Sequence, residues 1–110
     1  MPSVDTTPLT DAAERLADRL RALPQSALRR GAAETGLTLA RELSARAQRL
    51  EFGSACAPRP MPDAGIFAVG DQLSVATHDL ALALAAAPGR EATPLLAESL
   101  DLTRRAARAL

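Results

Sequence analysis

Apolar residues recur along this chain at spacings of three and four, and prolines and glycines cut the rhythm into segments. Leu9, Ala13, Leu16, Leu20 and Leu23 make a first stripe, the signature of one face of an α-helix. Thr10 or Asp11 is placed to cap it. Pro24 ends it near Leu23, because a residue before proline avoids the α region. A second stripe of Leu28, Ala32, Thr35, Leu39, Leu43, Ala47 and Leu50 predicts a helix from Ser26 towards Phe52. Its phase holds across Gly36, so the helix is expected to continue there despite the glycine penalty of about 1 kcal/mol. Gly53 suits its C-terminal cap.

The third stripe, Ile66, Val69, Leu73, Ala76, Leu80 and Ala83, predicts a helix from Ala64 to Ala87, capped by Asp63 and stopped by Pro88 and Gly89. A further apolar row on the same helix, Phe67, Val75, Leu82 and Ala86, widens its apolar coverage, as Leu95 and Leu102 widen that of the last helix. The last stripe, Leu96, Leu100, Thr103, Ala107 and Leu110, predicts a helix starting near Thr93 with Pro94 in its first position. Residues 1–9 read as a flexible arm and 10–110 as one helical domain, with a stiff connector over 53–62 set by Pro58, Pro60 and Pro62. Short links at Pro24 and at Pro88–Gly89 suggest two helical hairpins. The expected fold is therefore all-α, an up-down antiparallel four-helix bundle.

Composition narrows the fold further. There are 25 alanines and 18 leucines against one isoleucine, three valines and two phenylalanines, so the β-branched and aromatic residues that build sheets are nearly missing. An Ala-rich core removes little area from water per contact. A marginal monomer is the expectation, which favours a homodimer or a helical protein partner.

The 13 basic residues, all arginine, are balanced by 13 acidic ones. That balance leaves no footprint for nucleic acid or an anionic membrane. The longest apolar run, from Leu80 to Pro88, is far short of the roughly 20 residues that span a bilayer. Asp5, Asp11 and Glu14 precede any apolar run, which speaks against a secretory signal. A single cysteine, Cys56, forms no internal disulfide and suits a reducing cytoplasm.

Little in the chain assembles into chemistry. His78 is the only histidine, and Val75 stands where the Glu-x-x-His motif of bundle metal sites needs its glutamate. Neither a metal nor a cofactor is expected, and the protein reads as a non-enzyme. Asp71, Ser74 and His78 make a polar row on an otherwise apolar helix. One helix cannot orient such residues as a catalytic triad. The row reads first as a solvated or hydrogen-bonded structural feature, and second as part of a partner site. With Phe67, Val75 and Leu82 it forms the candidate partner-binding face, since apolar residues surplus to the core mark interfaces.

Gly31 and Gly36 have phosphate-loop spacing, but Leu37 replaces the lysine and no strand precedes them. An alternative for the segment 26–50 is a degenerate helix-turn-helix with its turn at Gly36, making the chain a small DNA-binding regulator. Thr38, Arg41 and Arg46 would then face DNA. Gly31 and Glu42 fall where that motif wants apolar residues, which weighs against it.

The segment Met61-Pro62-Asp63-Ala64-Gly65-Ile66-Phe67-Ala68-Val69-Gly70-Asp71-Gln72, followed by His78-Asp79-Leu80, resembles the small Ala/Arg/Leu-rich proteins of unassigned function common in high-GC actinobacteria. The resemblance implies a cytoplasmic bacterial protein and no particular chemistry.

Overall fold

The structure, a computed structural model, describes residues 4–110. It is all-helical, with no strand among the described residues. Helix α1 is Thr7–Ala22. Helix α2 covers 25–52 and is built of Gln25–Ala27, a π-type turn Leu28–Ala32 and the regular helix Ala33–Phe52. Helix α3 is Val69–Ala86 and α4 is Gly89–Ala109.

Three boundaries differ from the sequence pattern, each for a local reason. Helix α1 starts at Thr7, ahead of the expected caps at Thr10 and Asp11, with Pro8 in its first turn. The Asp5 carboxylate accepts the Thr7 amide at 3.0 Å, and hydrogen bonding from Thr7 holds that carboxyl below its usual pKa. Residues 7–9 are thus no arm, and Leu9 is fully buried. The arm's first three residues lie outside the described residues.

Helix α3 starts at Val69 instead of Ala64. Asp63 spends its carboxylate on the Gly65 amide at 2.9 Å, and Gly65 sits at φ +97°, outside the helical region. The connector therefore extends to Ala68. Helix α4 starts at Gly89 and takes Pro94 into its interior. Proline there removes one backbone bond, to the carbonyl of the exposed Arg90.

Helix α2 passes through Gly36 in regular helix, as its stripe predicts. It is interrupted earlier instead, at Gly31, where φ 141° and ψ −15° break the helical run. Only glycine adopts that φ without strain, and π-type turns of this kind bend helices.

The bundle expectation holds, but the up-down order and the two hairpins are corrected. Arg21 bonds Asp71 while Glu14 accepts from Ser74, so α1 and α3 run antiparallel. Gly36 packs beside Val69, and Ala47 and Glu51 line one groove with Ala83 and Ala87, so α2 and α3 run parallel. Arg46 reaches Glu98, whereas Leu39 lies across from Leu102 and Ala106, so α2 and α4 run antiparallel. The order is up, down, down, up. Consecutive helices α1 and α2 touch sparsely, as do α3 and α4; the extensive packing joins α3 to both α2 and α1.

The connector explains this topology. Gln48 makes two bonds to the Arg59 backbone, donating to its carbonyl at 2.9 Å and accepting its amide at 2.8 Å. Arg41 Nε donates to the Met61 carbonyl at 2.8 Å, and Gln72 Nε2 to the Pro62 carbonyl at 2.8 Å. The strap thus climbs back along α2. After a turn at 54–55, closed by the Cys56 amide on the Gly53 carbonyl at 3.0 Å, the proline-rich stretch carries no helix until Val69. A stiff, extended strap delivers α3 beside the start of α2, which a tight turn would not.

Leu16, Leu20, Leu43, Leu73, Leu80 and Leu84 fill the centre, all nearly inaccessible to solvent. Helices α1 and α3 approach closely at Gly70, where an added Cβ would stand 2.9 Å from the Ala17 carbonyl oxygen. Thr77, Ser99 and Thr103 are buried but satisfied, each hydroxyl donating to the carbonyl four residues earlier. With extents of 46 × 27 × 17 Å, the molecule is only two helices thick, so each helix keeps one side towards solvent.

Candidate docking face on helix α3

Helix α3 has two unlike sides. Its inner side, Val69, Leu73, Ala76, Leu80 and Leu84, is buried against α1 and α2. Its outer side carries Val75 and Leu82, seven residues apart and hence on one face, with Phe67 in the turn just before it. Phe67 is 69%, Val75 55% and Leu82 60% exposed. The surplus row anticipated from the sequence is therefore exposed apolar surface. Phe52, at the end of α2, is the other large apolar side chain left in solvent among the described residues; its run-end position carried no periodic signal in the sequence.

The polar row divides in two. Asp71 and Ser74 belong to a network with α1: Arg21 Nε donates to Asp71 at 2.9 Å, its Nη1 to Asp18 at 3.0 Å and its Nη2 to Ser74 at 2.9 Å. Ser74 in turn donates to Glu14 at 3.2 Å. The Asp71 bond, more than any other influence, raises the Arg21 pKa further above its ordinary value. These groups clamp α1 to α3 along the margin of the apolar row, and Arg21 is the member that stripes on α3 alone could not reveal. His78 lies exposed on the outer side. It sits between Val75 and Leu82 in the row.

An open groove of about 660 Å³ begins where the row ends. Leu82, Ala83, Ala86 and Leu50 supply apolar lining, and Glu51, Asp79 and Glu91 supply charge.

The residues of the helix-turn-helix alternative do not converge on a free basic face. Thr38 is exposed, Arg41 is half-buried and tied to the Met61 carbonyl, and Arg46 is held by Glu42 and Glu98. No turn interrupts residues 34–37.

Among the described residues no group of three or more His, Cys, Asp or Glu is placed to hold a metal ion, and no helix is long and apolar enough to cross a membrane. Comparison with protein-family models, curated proteins and solved structures gives no match for this chain.

Proposed function

We propose that this protein is a non-enzymatic helical interaction module that docks through the outer side of α3, either on a second copy or on a helical partner. One observation carries the reading: Phe67, Val75 and Leu82 remain exposed after the bundle has packed its own core. Burying an apolar side chain of this size yields roughly 1.5–3 kcal/mol, so association through the row has a ready driving force. The Arg21 network supports it from below, because it fixes α3 against α1 without using any of the three apolar side chains. A reducing cytoplasm is the compartment proposed, on the strength of the lone thiol at Cys56.

Size exclusion with light scattering tests the self-associating form. A dimer or larger species is expected, with Leu82→Glu moving towards monomer at unchanged helicity. A wild-type monomer whose Leu82→Glu variant unfolds places that residue in the private core and overturns the docking function.

A further inference from the structure

We infer that the groove at the C-terminal end of α3 seats a basic amphipathic helix of a partner protein, an occupant that rests on the docking function proposed above. The groove has an apolar strip, Leu50 from α2 with Leu82 and Ala86 from α3, beside the polar Ser44 and Gln48 of α2. Glu51, Asp79 and Glu91 surround this lining, and none of the thirteen arginines contributes to it. None of these three carboxylates forms an ion pair among the described residues, although Asp18, Glu42, Asp71, Glu98 and Asp101 all do.

Backbone charge adds to the side chains. Helices α2 and α3 are parallel, so both C-terminal ends, the negative ends of their dipoles, fall here. Helix α3 has no basic residue in its last turn to answer its dipole. The C-terminus of α2 is answered by Arg49 in its last turn, and the N-terminus of α4 by Glu91 in its first, which leaves Glu51, Asp79 and the α3 terminus unneutralised.

Charge also decides between occupants. A second copy placed on a two-fold axis through the groove would set these carboxylates against themselves, and like charges facing each other in an interface are repulsive. A helix with an apolar stripe flanked by Arg or Lys matches both the lining and the charge. From Asp79 to Ala87 the wall is about 12 Å long, which accommodates roughly two turns.

The test uses two labelled synthetic peptides with the same amphipathic leucine pattern, one carrying arginines and the other glutamates on its polar face. Fluorescence anisotropy with the full chain should show binding of the Leu/Arg peptide that weakens as salt rises. The triple variant Glu51→Gln, Asp79→Asn, Glu91→Gln, verified as folded by circular dichroism, should bind it at least tenfold more weakly, as should Leu82→Ser. Equal binding by the triple variant, or equal affinity for the Leu/Glu peptide, overturns the basic occupant. A chain that self-associates in light scattering but ignores both peptides overturns this occupant while supporting the docking function. A monomer that ignores both overturns the two together.

Discussion

The two sides of α3 are made of similar residues and meet opposite fates. Val69, Leu73, Ala76, Leu80 and Leu84 are buried between α1 and α2, while Val75 and Leu82, one or two residues away along the chain, stand in solvent. A slab two helices thick has room for one buried side per helix. Hydrophobicity alone therefore does not decide what becomes core; the number of neighbouring helices does. The inner side should carry stability and the outer side association, and each can be perturbed separately.

The largest effect is expected on the inner side. Leu80→Ala removes a fully buried side chain from the centre and should reduce unfolding free energy by about 3 kcal/mol, through lost transfer energy and the cavity left behind. Urea denaturation reads this directly. A loss under about 1 kcal/mol would mean that the inner side collapses freely and is packed no better than the outer.

Gly70→Ala comes next. Its methyl would stand 2.9 Å from the Ala17 carbonyl, a backbone atom that cannot swing aside. A destabilisation of about 2 kcal/mol is expected from the forced separation of α1 and α3. The analogous change at Gly36 meets the end of the Leu20 side chain at 2.9 Å and the Val69 Cβ at an ordinary 3.6 Å, and should be milder. If the two variants melt alike, the close α1–α3 approach is not what positions the inner side.

At Gly31 the strain is conformational, because an added methyl meets nothing within 4 Å and φ is +141°. Gly31→Ala should lose roughly 1 to 2 kcal/mol and tilt the first turns of α2 away from α3. A neutral outcome in thermal melting would point to a straight α2.

Arg21→Ala should have a smaller effect, under about 1 kcal/mol, since Arg21 and Asp71 are largely solvated at 37% and 77% side-chain exposure. Raising salt should shrink even that difference. A much larger loss would make the clamp, and not the apolar seam, the main tie between α1 and α3.

The inner side was legible in the sequence because its three- and four-residue spacing is unbroken from Val69 to Leu80. The outer row was legible as apolar positions left over once one stripe had been assigned. Topology was not. Short links at Pro24 and Pro88 suggested hairpins, yet the parallel placement of α2 and α3 depends on Gln48, Arg41 and Gln72 gripping a returning strap. Those bonds join side chains to backbone across 10 to 20 residues and leave no periodic trace. The Gly31 break was equally hidden, since Leu28 and Ala32 keep the stripe in phase on either side of it. Asp63 shows a different ambiguity: the same side chain can cap a helix or close a turn on Gly65, and the glycine's positive φ selects the turn. For the candidate face, the sequence supplied Asp71 and Ser74 but not Arg21, their partner from another helix.

The separation of the two sides is tested most directly by the triple variant Phe67→Ser, Val75→Ser, Leu82→Ser, unfolded by urea at a dilution where the wild type is monomeric. Substitutions at exposed positions usually lie within about 0.5 kcal/mol of neutral, so the variant's unfolding free energy should stay within roughly 1 kcal/mol of wild type. A loss of several kcal/mol, comparable to that of Leu80→Ala, would show that the outer row is part of the chain's own core and would contradict its role as a docking face.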